Sequence, residues 1–172
     1  MIIINKQKHS EVYFDPDNSV YIKKFNPKFI NKIKFFLRFR RYPGENFNYI
    51  SKELNKIGIK TVKIISYSKY SVTTKKILGI PLDEYLSKSK DYTILNKYID
   101  LVISLLNHGF YSGDLSYDNF FVNNNEIIAL DLEDYKKVLF FKKDTNEAIR
   151  RLYGKVDLWV IQKIKQGINK NF

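Results

Sequence analysis

Ile94, Leu95, Tyr98, Leu101, Val102, Leu105 and Leu106 recur at helical spacing between Tyr92 and Asn107. An apolar face that broad has to lie against a core, and the run stops at His108-Gly109, a helix C-terminal signal. A polar and aromatic loop follows (FYSGDLSYDN), then two short apolar runs, Phe120 to Val122 and Ile127 to Leu130. Asn123-Asn124-Asn125 between them reads as a hairpin turn. Upstream, the pattern is of short strands: Met1 to Asn5, Glu11 to Phe14, and Ser19 to Phe25 returning after the turn Asp15-Pro16-Asp17-Asn18. A basic, aromatic helix is predicted from about Lys28 to Arg41, stopped by Tyr42-Pro43-Gly44. A second is predicted from about Glu45 to Ile57, with Phe47, Ile50, Leu54 and Ile57 as its stripe and Gly58 as its stop. Thr61 to Ser66 and Ser71 to Ile77 are strand-like, and Gly79-Ile80-Pro81 looks like a hinge between two halves. Asp144 to Tyr153 and Lys155 to Ile168 are helical in pattern. There is no internal repeat and no long linker, so the 172 residues suit one α+β domain or two small lobes sharing a cleft.

Composition narrows the function. With 44% hydrophobic and 16% aromatic residues there is material for a core. No cysteine is present, which excludes a disulfide framework, a thiolate nucleophile and a Cys-ligated metal. No apolar run approaches the ~20 residues of a membrane span, and Met1 to Ile4 is too short for a signal peptide. The expectation is a cytoplasmic chain. Its formal charge is +12, and no acidic residue lies between Asp17 and Glu45, a stretch holding Lys23, Lys24, Lys28, Lys32, Lys34, Arg38, Arg40 and Arg41. Such a field attracts nucleic acid, an anionic membrane surface or phosphorylated substrates, or it is simply a Lys-rich solvated face.

The loop after the long helix carries the chemistry. Asp114, Asn119 five residues later, and Asp131 after the hairpin stand in the order that kinase-fold enzymes use. A loop of that length lets Asp114 meet an acceptor hydroxyl as catalytic base while Asn119 turns back toward a metal. The hairpin brings Asp131 to the other side of the same ion. Mg²⁺ takes hard oxygen ligands, and one carboxylate, one amide and phosphate oxygens suit it. Each residue alone has a plainer explanation, since Asp and Asn cap turns. Val20-Tyr21-Ile22-Lys23 adds a lysine on a returning strand, where a kinase places the residue that holds the α- and β-phosphates of ATP. Lys24 would point to the opposite face, so Lys23 is the candidate, unless both are surface lysines. Such a lysine needs a helix carboxylate. Glu45 and Glu53 are the glutamates of the right helix, and Glu45 is preferred. His108, at a helix end, reads as a cap.

The run LLNHGFYSGDLSYDNFFVNNNEIIALDLED, with VYIKKFNPK upstream and RRLYGKVDLW downstream, resembles the lipopolysaccharide core heptose(II) kinases (the RfaY/WaaY family) of the protein-kinase-like superfamily. The resemblance extends from about Val20 to Trp159 and is weakest between Asn31 and Tyr70. It implies a protein-kinase-like two-lobe fold, with a small antiparallel N-lobe sheet over 1–78 and a reduced, mainly helical C-lobe over 79–172. It implies ATP and Mg²⁺ as cofactors, Lys23 and Glu45 at the nucleotide, Asp114 as catalytic base, and Asn119 and Asp131 on the metal. The implied reaction is phosphorylation of a sugar hydroxyl on a membrane-anchored glycolipid at the cytoplasmic face, and the basic segment 23–41 fits such an acceptor.

The departures are specific. No glycine precedes Gly44, so the turn at Asp15 to Asn18 would have to cover the nucleotide phosphates. Glu133 stands where many kinases carry glycine, and Ser112 where they carry histidine. Only 41 residues follow Asp131, which argues against a protein substrate. The alternatives are a compact protein or tRNA-pathway kinase, and a non-catalytic pseudokinase or basic nucleic-acid-binding module whose Phe35, Phe36, Phe39 and Tyr42 could stack bases or belong to a core.

Overall fold

A computed structural model describes residues 1–89, 91–138 and 141–168. The chain opens with β1 (Ile2–Lys6), β2 (Ser10–Asp15) and β3 (Val20–Phe25). The turn between β2 and β3 forms where Pro16 and its polar neighbours predict it, with Asn18 Nδ2 donating to Asp15 Oδ2 at 2.8 Å. Helix α1 (Phe29–Phe36) is shorter than the predicted Lys28 to Arg41. Arg38 takes a left-handed conformation (φ 59°), and the amides of Arg38 and Phe39 bond back to the carbonyls of Phe35 and Lys34. That pair of bonds is the Schellman arrangement, which satisfies the last carbonyls and turns the chain away. Helix α2 (Pro43–Lys56) follows with Pro43 in its first turn, where the missing amide proton has no helical partner to lose.

Helix α2 buries Phe47, Ile50 and Leu54, as the stripe predicts, and ends at Gly58 with φ 80°. Its first turn lies so close to the next hairpin that a Cβ on Gly44 would sit 2.1 Å from the Ser68 carbonyl oxygen, so only glycine fits. Strands β4 (Lys60–Thr61), β5 (Ile64–Ser68) and β6 (Ser71–Lys75) come next. The first sheet is antiparallel in the order β1-β2-β3-β6-β5, and β3 is central to it, with Lys23 opposite Val12 on one side and Val72 on the other.

Beyond β7 (Ile80–Pro81) comes α3 (Leu82–Lys88), a helix that the sequence pattern does not flag because Leu82 is its one buried side chain. Helix α4 (Tyr92–Asn107) has the predicted bounds and buries Ile94, Leu95, Tyr98, Ile99, Val102, Leu105 and Leu106. Asp91 caps it, accepting from the Thr93 and Ile94 amides. His108 Nδ1 lies 2.8 Å from the Ser104 carbonyl in the last turn, as a capping side chain would. After β8 (Phe110–Tyr111), β9 (Phe120–Asn123) and β10 (Glu126–Ala129) make the predicted hairpin. Asn124 and Asn125 both have positive φ, the type I′ geometry that asparagine tolerates. This hairpin is the middle of a second sheet, β4-β10-β9-β7, which draws β4 from upstream of the presumed hinge. β11 (Lys136–Lys137) pairs with β8, and α5 (Phe141–Leu152) and α6 (Leu158–Ile168) complete the chain. The largest enclosed side chains are Tyr98, Tyr135, Phe110 and Phe120, packed where α4 meets the hairpin and the segment after it. The loop of interest is therefore carried on the packed core.

Candidate functional site

The β9–β10 ladder brings the loop and the segment after the hairpin together. Phe120 is opposite Ala129, and the Leu130 amide donates to the Asn119 carbonyl at 3.0 Å. Asn119 and Asp131 therefore leave the open end of one hairpin side by side. Asp131 adopts a left-handed conformation (φ 46°, ψ 45°) that a residue with a Cβ seldom takes. It leads into a 3₁₀ turn over Leu132–Asp134, which buries Leu132 and turns Glu133 toward the first sheet.

Lys23 reaches this turn from β3. Its Nζ lies 2.9 Å from Asp131 Oδ1 and 2.5 Å from Glu133 Oε1. Lys24 points the other way, over the Tyr13 ring, so strand alternation selects between the two lysines as expected. Burial pulls the Lys23 ammonium toward losing its proton, but the Glu133 and Asp131 charges outweigh it and hold its pKa above the ordinary lysine value. Burial pushes the Glu133 carboxyl up and the neighbouring Asp131 charge adds to this, while Lys23 opposes both. Glu133 Oε2 is enclosed and, among the described residues, has no hydrogen-bond partner.

The structure does not bring Glu45 to Lys23. Among the described residues Glu45 has no ion pair, and Glu53 is held by Lys56 and by Lys137 at 3.0 Å. Helix α2 contributes its next residue instead. Asn46 Nδ2 donates to the carbonyls of Glu133 (2.8 Å) and Tyr135 (2.9 Å), so the helix fastens the turn through a neutral side chain. Asn46 and Glu133 are two of the site residues that sequence reasoning missed as partners; Ser116 and Lys155, which contact Asp114, are two more. Glu133 had been visible only as a departure from the usual glycine. Asn46 carries no signal, because an asparagine in a first helical turn is ordinary. Removing the amide with Asn46→Ala is expected to destabilise the fold by about 1–3 kcal/mol, since two partly buried acceptors lose their donor; thermal or urea unfolding would measure it.

Asp114 is positioned from the other side. Ser112, standing where histidine was expected, is buried, accepts from the Asp114 amide and donates to its carbonyl (both 3.2 Å). The Ser116 amide and hydroxyl both reach Asp114 Oδ1, the hydroxyl at 2.5 Å, and the same hydroxyl touches Asp118. Tyr98 of α4 donates to the Leu115 carbonyl at 2.5 Å and ties the loop to the core. Lys155, from the turn between α5 and α6, donates to Asp114 Oδ2 at 2.8 Å. Burial raises the Asp114 carboxyl, but the hydrogen bonds from Lys155 and Ser116 win, and its pKa lies below the usual carboxylate value. Tyr135 is fully buried, and its hydroxyl pKa is pushed up first by that burial and then by Asp131 and Asp114 together, so both carboxylates act on one point inside the protein.

A cavity of about 780 Å³ opens between β3, α1, the start of α2 and the turn after the hairpin. Lys23, Phe25, Asn46, Asp131 and Glu133 line it, and Asp114 and Asn119 lie outside its walls. Among the described residues no three acidic or histidine side chains gather into a self-sufficient metal site. The donors that are present, an Asp131 carboxylate with 58% of its side chain exposed and the Asn119 amide, fit a hard cation that takes its remaining ligands from phosphate and water.

This architecture is protein-kinase-like. The chain is similar to the crystal structure of the Rio2 kinase-ADP/Mg²⁺-phosphoaspartate complex from Chaetomium thermophilum, with a TM-score of 0.60 and 15% sequence identity. The similarity covers 99% of this chain and 62% of that one. No protein-family profile matches the chain. In sequence it is 23% identical, over 88% of its length, to the flagellar motor switch protein FliM of Buchnera aphidicola subsp. Schizaphis graminum, of which it spans 65%. The chain thus spans less than two thirds of each of these proteins, and the structural likeness carries the fold alone.

Proposed function

We propose that this chain is an ATP-dependent phosphotransferase acting on a hydroxyl group. The observation that supports it is the Lys23–Asp131–Glu133 cluster at 2.9 and 2.5 Å, a strand lysine meeting the carboxylates beyond a hairpin, on a kinase-like fold. In this reading Lys23 holds the α- and β-phosphates of ATP. Asp114 orients the acceptor hydroxyl and takes its proton as the oxygen bonds to the γ-phosphorus, while the bond from that phosphorus to the β–γ bridging oxygen breaks and ADP departs. The low pKa of Asp114 suits a group that orients the hydroxyl more than it stores a proton. Lys155, half exposed, is displaced from Asp114 by the hydroxyl and remains close enough to meet developing negative charge. Asn119 and Asp131 would hold Mg²⁺, which would supply charge neutralisation at the phosphates. Glu133 takes over the lysine-holding role expected of Glu45.

The acceptor we propose is a sugar hydroxyl of a lipopolysaccharide core or related cell-surface glycolipid. Its support is the resemblance of residues 108–114, 119–120 and 131–132 to the heptose(II) kinases, together with the basic segment 23–41 for contact with an anionic membrane. The division into lobes at 78/79 belongs to the same reading. Calorimetric titration with ATP is the test. Binding should strengthen at least tenfold with Mg²⁺ and be lost in Asp131→Ala; binding indifferent to Mg²⁺ would leave only a basic surface that attracts polyanions. Label from ATP should then enter lipid extract rather than protein or tRNA.

A further inference from the structure

Helix α1 is held to the protein by one narrow face. Asn31 and Phe35 line the cavity, and Phe35 packs on Tyr42 with ring centroids 5.7 Å apart. No residue of the helix is buried. At about 100° per residue, Phe29, Ile30, Ile33, Phe36 and Leu37 fall within an arc of about 120° centred opposite Asn31 and Phe35. All five are exposed, Phe29 and Phe36 each by 78%. Lys32 and Lys34 border that arc, about 40° beyond its two edges. Past the helix end Phe39 is 77% exposed. Among the described residues no carboxylate pairs with Lys28, Lys32, Lys34, Arg38 or Arg40, which the complete lack of acidic residues from 18 to 44 explains.

We infer that α1 is a membrane-docking helix, which seats its apolar arc in the interface of an anionic lipid bilayer while the flanking lysines meet lipid phosphates. An exposed apolar face with basic edges is the arrangement that lies in the plane of a bilayer surface, and each basic residue near an anionic leaflet adds to the attraction. Nucleic acid would use the cations but would leave Ile30, Ile33 and Leu37 with nothing to contact. A second copy of the helix would bring like charges together. Among the described residues no helix is long and apolar enough to cross a membrane, so the contact would be peripheral. Because the back of α1 is a wall of the cavity beside Lys23, docking would hold the mouth of that cavity at the bilayer. As the approach of a kinase to a membrane-held acceptor this rests on the function proposed above; as a lipid-binding surface it stands without it.

Vesicle flotation separates the two. The full chain should float with phosphatidylcholine vesicles containing phosphatidylglycerol and stay behind with phosphatidylcholine alone. Phe29→Ser combined with Phe36→Ser should weaken binding at least tenfold, and Lys32→Glu with Lys34→Glu should do the same. Both double variants, altered only at exposed positions, should keep the wild-type melting temperature and the wild-type calorimetric response to ATP. Loss of ATP binding with intact flotation would overturn the kinase reading alone. Equal flotation of the phenylalanine variant and wild type, no preference for anionic vesicles, or a helix that engages only RNA or an acidic protein would overturn the docking role.

Discussion

Asp114→Asn is expected to reduce phosphoryl transfer from ATP by about 10²–10⁴-fold, the span that a positioned general base contributes, while ATP binding stays within a few-fold of wild type. The separation follows from the geometry. Asp114 lies outside the cavity lined by Lys23 and Asp131, and its own contacts are Ser116 and Lys155, so nothing that would hold the nucleotide depends on its charge. Asparagine, with its amide oxygen at Oδ1, keeps the acceptor that the Ser116 amide and hydroxyl contact and loses the charge, the basicity and the Oδ2 that accepts from Lys155. Single-turnover transfer from labelled ATP, beside calorimetry on the same preparation, measures both quantities. If wild type and variant turn over ATP at the same rate, the loop has no catalytic part.

The second large effect is expected at Glu133. Glu133→Gln should weaken MgATP binding by tenfold or more, because Lys23 is left with Asp131 alone, whose exposed carboxylate is the weaker anchor. Glu133→Ala should also cost about 3 kcal/mol of stability, the low end for breaking an ion pair shielded from solvent, since both Lys23 and Glu133 keep only 14% of their side-chain surface exposed. Glu45→Gln should change neither. A double-mutant cycle with Lys23→Met isolates the pair. Equal losses from Glu45→Gln and Glu133→Gln would return the lysine's anchor to the helix. With the anchor on the metal-binding side, the lysine's position would follow the turn after the hairpin and would not depend on the rotation of α2. Asn46 would then steady that turn from α2 through its two hydrogen bonds.

Those two residues also mark how far the chain could be read without coordinates. Residues whose role follows from local pattern were legible. Helix α4 was, because its apolar face is periodic; the Asn124-Asn125 turn was, because few residues tolerate that backbone; and Lys23 over Lys24 was, because a strand alternates. The fold class followed from their order. Helix α1 was read too long, because its composition runs on in the same style to Arg41 and the left-handed Arg38 that ends it is not a residue type that announces a stop.

What sequence alone determined is the order of the elements, the identity of the loop residues and the side of β3 on which the lysine lies, all of them effects acting over a few residues. What only the tertiary structure decided is which carboxylate meets that lysine. Glu45 and Glu133 carry the same side chain, and neither sequence position reports its distance from the lysine. The choice depends on the left-handed turn at Asp131 and on how close Gly44 lets α2 approach the sheet, and both are properties of packing between segments far apart in the chain.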